Sequence, residues 1–163
     1  MNNFLFVAAE NDAIADCKAG GMGDVVRDVP RQISEHGDKV HVIVPSYSRL
    51  HRDGIFKTTL NVELRGMVYN AELYEVKPKK EFPNIVHYVI HHPEIEAGDI
   101  AHIYHNDPEE PFYTDAIKYF IFCAVVAEAV KKGAFGRLDV VHLHDWHSSL
   151  LLYLREYRKG YRV

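Results

Sequence analysis

Phe4-Leu5-Phe6-Val7-Ala8-Ala9, Lys18-Ala19-Gly20-Gly21-Met22-Gly23-Asp24 and Val40-His41-Val42-Ile43-Val44-Pro45 together decide how this chain begins to fold. The first run is short, continuously apolar and closed by polar residues, the pattern of a strand buried on both faces of a parallel sheet. From Asp24 onward Val25, Val26, Val29 and Ile33 fall at helical spacing, and His36-Gly37 ends the segment with glycine as a C-cap. Pro30 removes one backbone donor inside that helix, so a kink is expected there. The third run is a second strand, stopped by Pro45. Strand, glycine-rich turn, helix and strand within the first 45 residues open an α/β layer fold.

Working outward, Leu60-Val62-Leu64, Val68-Tyr69, Leu73-Tyr74-Val76 and Ile85-Val86-Tyr88-Val89 alternate between breaks at Gly66, Pro78-Lys79-Lys80 and Pro83. Residues 56–90 therefore read as antiparallel strands or hairpins inserted in the layer. Residues 91–111, rich in His, Pro, Gly, Asp and Glu, form a long loop of the kind that usually either carries function or is disordered. A long apolar helix follows from Pro111 to Lys132, with Phe120, Cys123, Ala127 and Val130 on one buried stripe. Leu138 to Leu143 reads as a third core strand. His147 to Arg158 reads as a last helix with Leu150, Leu151 and Leu154 inward, and a turn and the start of another strand are expected over 159–163. The expected fold class is α/β: a Rossmann-like, mostly parallel sheet with helices on both faces and a β-hairpin insertion. Residues 1–163 are taken as one domain, incomplete at its carboxyl end.

Composition narrows the function. With 163 residues the chain can bury roughly 70% of its unfolded surface around one core. Its net charge of −4, with no long basic run, argues against nucleic-acid binding. Cys17 and Cys123 are too few and too far apart for a disulfide framework or a cysteine-based zinc site, which points to a reducing, cytoplasmic setting. No apolar run approaches the roughly 20 residues of a membrane span, so no membrane partner is expected.

Three clusters carry chemistry. In Lys18-Ala19-Gly20-Gly21-Met22-Gly23-Asp24 the turn lets backbone N–H groups approach an anion, the helix N-terminus adds a favourable field, and Lys18 supplies a charge for phosphate. The alternative is a tight turn whose glycines only permit positive φ. The segment is neither a dinucleotide fingerprint, because Val26 stands where the third glycine belongs, nor a Walker loop. The second cluster, His142-Leu143-His144-Asp145-Trp146-His147, lies at the carboxyl end of a core strand, where open α/β sheets hold ligands. Asp145 also suits the N-cap of the next helix, and strand alternation can send His142 and His144 to one face as ordinary core residues. The run superficially resembles the His-x-His-x-Asp-His signature of metallo-β-lactamase-like hydrolases, but its Asp comes one place early, and no metal is expected. The third cluster joins Ile103-Tyr104-His105-Asn106-Asp107 to Phe112-Tyr113-Thr114-Asp115. Aromatic faces and amide groups there suit a sugar ring and its hydroxyls, although such residues are equally ordinary on a surface.

In this order the clusters resemble the amino-terminal domain of the bacterial-type glycogen and starch synthases, glycosyltransferase family 5. That family shows Lys-x-Gly-Gly-Leu-(Gly/Ala)-Asp-Val, matched at Lys18 to Val25 with Met22 in place of Leu. It shows a Tyr-His loop followed by Tyr-Thr-Asp, matched at Tyr104-His105 and Tyr113-Thr114-Asp115. Its Asp-Val-Val-His-x-His-Asp-Trp-His is matched without a gap from Asp139 to His147. Residues 56–100 match no motif of the family.

The resemblance implies the N-terminal half of a GT-B fold, two Rossmann-like domains with the active site between them. It also implies retaining transfer of glucose from ADP-glucose, or a related nucleotide sugar such as UDP-glucose, to an α-1,4-glucan acceptor, without a cofactor. By analogy Lys18, Gly20 and Gly21 face the donor's phosphates and glucose, Lys18 as the catalytic charge, and Asp24 shapes the loop. Tyr104, His105, Asp145, Trp146 and His147 line the sugar or acceptor side. The family's following Val-His-Asn strand and its nucleotide-binding domain are not found in residues 1–163, so the isolated chain is expected to be inactive. A self-standing sugar-binding or regulatory protein is the alternative, a metal-dependent hydrolase the remote one. An uncovered sheet edge would also favour a homo-oligomer.

Overall fold

Four parallel strands form the middle and one edge of a single sheet, and their order decides where a ligand can sit. In a computed structural model that describes residues 1–64 and 66–157, the elements are β1 (Asn3–Val7), α1 (Gly21–Glu35), β2 (Lys39–Pro45), β3 (Ile55–Leu64), β4 (Met67–Val76), β5 (Ile85–His91), α2 (Tyr113–Lys131), β6 (Val140–Leu143) and α3 (Trp146–Tyr157). Arg158 and the turn expected over 159–163 lie outside the described residues. The sheet order is β3-β4-β5-β2-β1-β6. β2 and β6 flank β1 in parallel, β5 runs parallel to β2, and β3, β4 and β5 pair antiparallel in succession.

The sheet is covered on both faces because each parallel strand is apolar on both sides. Leu5, Val7 and Ile43 pack with Ile121, Phe122, Val125 and Val126 of α2. The alternate residues Phe6, Ala8, Val42 and Val44 pack with Val26 of α1 and with Ile14 and Cys17 of the loop before it. This is the period of two that a strand imposes. Phe6 is fully buried, and its truncation to alanine costs about 3–5 kcal/mol. α2 is buried nearly all round, which explains why its sequence shows several apolar stripes: it lies between the sheet and α3.

The structure differs from the sequence reading in four places. α1 starts at Gly21 and not at Asp24, so Gly21, Met22 and Gly23 form its first turn, and it continues through Pro30 to a C-cap at His36 followed by Gly37 at φ 90°. Ile85–His91 pairs antiparallel with β4, as the alternation suggests, but it is also a parallel core strand beside β2. Its parallel partner was hidden locally, because His87 and Tyr88 interrupt the continuous apolar run that marks a strand buried in a parallel sheet. The true hairpin, β3–β4, extends the sheet beyond β5 instead of interrupting it. β6 is an edge strand among the described residues, paired only with β1, so Val140 and Val141 remain exposed.

Candidate functional site

Chain order along the sheet reverses at β1: β2 and β5 follow on one side, and β6 returns on the other. The carboxyl ends of β1 and β6 therefore flank the crevice in which open α/β sheets hold ligands. Residues 8–23 leave β1 there and 144–147 leave β6 there.

Glu10 organises this crevice, and the sequence reading missed it. It is 3% exposed. Its Oε2 accepts the backbone N–H groups of Ala19 at 2.6 Å and Gly20 at 2.7 Å, while its Oε1 accepts the Tyr104 hydroxyl at 2.9 Å. A buried carboxylate needs such donors to offset its lost hydration. The signal was present, since a charged residue directly after a continuous apolar strand has no place in a core unless something holds it.

The glycines serve close approach. None of Gly20, Gly21 and Gly23 has positive φ, which removes the tight-turn alternative. A Cβ on Gly23 would lie 3.1 Å from both Glu10 Oε2 and Lys18 Cγ. Gly20 is the N-cap of α1 in extended backbone, and no side chain caps the helix there. Glu10 already occupies the amides of Ala19 and Gly20, so an anion would meet the first-turn amides of α1 that follow. Lys18 is half-exposed and held by both carboxylate oxygens of Asp24 at 2.7 Å, which raises its pKa. Asp24 also binds Arg27 at 3.1 Å, and Arg27 pairs in turn with Asp12.

The aromatic side of the crevice is contiguous. The Tyr104 ring lies 5.3 Å from His147, His147 stacks on Trp146 at 4.3 Å, and Trp146 meets the exposed Phe112 edge-on at 5.9 Å. Burial raises the Tyr104 pKa, with the Glu10 charge next in effect, and burial lowers that of His147. Tyr104 is presented by a tight turn in which Ala101 and His102 both have φ above 50° and Ile103 N–H donates to Ile100 at 2.9 Å. Gly98 packs beneath it, where a Cβ would come within 2.2 Å of the Tyr104 carbonyl. The same loop is tied to α2. Asp107 accepts from Thr114 N–H and Oγ1 at 3.0 Å, and Asp115 accepts the His105 N–H at 3.2 Å.

Asp145 precedes α3 but is not the usual cap. Its φ is 61°, and its Oδ1 accepts the N–H of Trp146 at 2.6 Å, one residue on, where an ordinary N-cap reaches two or three. A non-glycine residue held in this region is strained and has a habit of lying at functional sites. His142 and His144 fall on one face, stacked on each other at 4.4 Å, and both pack against Phe6. Burial lowers the His144 pKa to about 4. Among the described residues no group of three or more His, Cys, Asp or Glu side chains is arranged to hold a metal. Among them, too, no helix is long and apolar enough to cross a membrane.

Of the expected site residues, the structure joins Gly20 to Tyr104 through Glu10, and Tyr104 to His147 and Trp146 through ring contacts. Lys18 and Asp24 pair with each other on the glycine side, and His105 joins α2.

Comparison with known proteins identifies the family and the fold. The starch synthase catalytic domain family model matches residues 3–163. Glycogen synthase from Geotalea uraniireducens is 33% identical over 160 residues, covering 96% of this chain and 31% of the relative. That from Gloeobacter violaceus is 32% identical over 149 residues, covering 90% and 29%. The catalytic domain of starch synthase IV from Arabidopsis thaliana superposes with a TM-score of 0.74 at 18% identity, over 99% of this chain and 31% of that one. The chain thus spans about a third of the length of the curated relatives it matches. With the family model matching nearly its whole length, the chain belongs to the starch synthase catalytic domain family, as its amino-terminal, Rossmann-like part.

Proposed function

We propose that the chain forms one wall of the active cleft of a retaining glucosyltransferase, which moves glucose from ADP-glucose or a related nucleotide sugar to the end of an α-1,4-glucan. The observation that carries this reading is the Glu10 bridge: one carboxylate locks the glycine segment to Tyr104, beside Trp146 and His147, at the crevice where the strand order reverses. The Arabidopsis domain was solved with ADP and acarbose bound, which supports a nucleotide and a sugar-like ligand for the present crevice. In this assignment the first-turn amides of α1 and Lys18 meet the diphosphate, and Asp24 holds Lys18 in place until phosphate competes for it. Tyr104, His105, Asp145, Trp146 and His147 line the sugar side. Charge stabilisation at the departing diphosphate is the main demand of such a transfer. The buried free thiols Cys17 and Cys123, both pushed up to about 12 by burial, suit a reducing cytoplasmic setting.

Transfer needs donor, acceptor and phosphate-binding groups held together in a closed cleft, and one wall supplies little of that effective molarity. The 163-residue chain is expected to show no glucose incorporation into glycogen from ADP-glucose. Joined in frame to the remaining two thirds of the Geotalea uraniireducens enzyme, it is expected to incorporate label, and Lys18→Ala in the joined protein is expected to lower kcat/KM by about 10²-fold. Robust turnover by the bare chain, or an unaffected Lys18→Ala enzyme, refutes these roles. Binding of glucan without any incorporation by the joined protein would favour a non-catalytic sugar-binding protein.

A further inference from the structure

Lys118 is a charged side chain in the core of α2, 1% exposed, and neither the proposed transfer nor the helix itself requires it there. Its Nζ lies 2.7 Å from Asp115 Oδ1, 2.5 Å from the Ile103 carbonyl oxygen and 3.2 Å from His105 Nδ1. The rings of Tyr47 and Tyr119 flank it at 5.3 and 5.2 Å. Burial lowers the Lys118 pKa, while the Asp115 carboxylate and the two ring faces oppose that shift and favour the ammonium form. An ammonium has three hydrogens to donate and can accept none. Three acceptors stand within reach only if His105 Nδ1 carries a lone pair.

His105 Nδ1 is also 3.1 Å from Asp115 Oδ1, so its two possible tautomers make different local arrangements. With hydrogen on Nδ1, an N–H would face the ammonium at 3.2 Å, and the third Lys118 hydrogen would be buried without an acceptor. With the lone pair on Nδ1, the three ammonium hydrogens are all used. Asp115 then serves Lys118 and the His105 backbone N–H. The cost of a buried unmet ammonium donor exceeds that of a long nitrogen-to-carboxylate approach which Lys118 itself screens.

We propose that Lys118 is a positioning residue that fixes His105 as its Nε2–H tautomer, so that the ring offers a hydrogen-bond donor, and not an acceptor, to a ligand hydroxyl on the sugar side of the crevice. The ligand part rests on the glucosyl-transfer reading above; the tautomer does not. Through Ile103 and His105 the same ammonium clamps the segment on both sides of Tyr104, so the tautomer and the loop position are set by one group.

Nitrogen-resolved NMR of the histidine rings in the full chain tests this near neutral pH and without sugar. The expected result is a pyridine-type resonance for His105 Nδ1 and a pyrrole-type one for Nε2. Lys118→Met should abolish that pattern, moving His105 toward the inverted or averaged tautomer, whereas Lys118→Arg, which still donates, should retain it. A pyrrole-type Nδ1 in the unaltered chain overturns the proposal, as does an unchanged pattern in a folded Lys118→Met protein. Should Lys118→Met not fold, the unaltered chain still decides on its own resonances, and Asp115→Asn supplies the second comparison, in which the Lys118 contact and the pattern are expected to persist. Because no sugar is present, failure of the transfer reading would leave these resonances as expected, and an inverted tautomer would leave that reading standing.

Discussion

Tyr104 donates its hydroxyl hydrogen to Oε1 of Glu10 at 2.9 Å, across 94 residues of chain. The other oxygen of that carboxylate holds Ala19 and Gly20. One buried charge thereby joins the glycine segment leaving β1 to the loop entering α2. The two sides of the crevice are tied through a single side chain.

Removing Glu10 should therefore cost more than one hydrogen bond. Glu10→Ala leaves two amides and a phenol without their acceptor and is expected to lower stability by about 2–4 kcal/mol; Tyr104→Phe is expected to cost about 1–3 kcal/mol. Urea unfolding of both single variants and the double variant should give a coupling of about 1 kcal/mol or more. Strict additivity would mean that the bridge does not exist in solution.

Gly98 predicts a steric effect at the same loop. A Cβ there would sit 2.2 Å from the Tyr104 carbonyl carbon and oxygen, and both obstructing atoms belong to the backbone, which cannot swing aside. Gly98→Ala is expected to destabilise the chain by about 1–3 kcal/mol and to displace the Tyr104 resonances. A variant of unchanged stability and spectrum would show that the turn packs differently.

Asp145 should tolerate unusual replacements. With φ at 61°, glycine relieves strain and asparagine accepts the conformation, so both are expected within about 1 kcal/mol of the parent. Asp145→Ala loses the hydrogen bond to Trp146 and keeps the strain, for a loss of about 1–2 kcal/mol. Thermal melts of the three variants would reveal the order, and equal losses for alanine and glycine would contradict it.

His41 and His87, 2% and 5% exposed, both have pKa values lowered by burial from 6.5 to about 4. Below pH 6.5 the unfolded chain takes up protons that the folded one refuses. Their contribution to stability is therefore complete above pH 6.5, shrinks as pH falls toward 4 and levels off beneath it, at up to about 3 kcal/mol for each. His41 packs on Tyr88 and Phe135. Urea midpoints between pH 7 and 4 should accordingly be less pH-dependent in His41→Phe, and a slope identical to that of the parent would exclude His41 as a source.

Periodicity within a few residues made much of this molecule legible. Phe4–Val7, Val40–Val44 and the long apolar helix were readable because burial on two faces leaves an unbroken apolar run, whatever the partner. The match from Asp139 to His147 was readable as a string, and it led to the family. Asp145 was legible as a residue at a helix start but not as one in left-handed backbone, since Asp is common in both settings.

The sequence by itself determined an α/β layer, its strand and helix segments, the glycine-rich start of α1 and the family to which they belong. Only the tertiary structure decided that β5 lies parallel to β2, that β6 is an edge among the described residues, that Glu10 is a buried charge joining the two sides of the crevice, and that Lys118 is one holding the Tyr104 segment to α2. The physical reason is range. Apolar period and capping act between residues a turn or two apart, whereas strand partners and the acceptors of a buried charge come from segments brought together by the whole sheet, as far apart as residues 10 and 104.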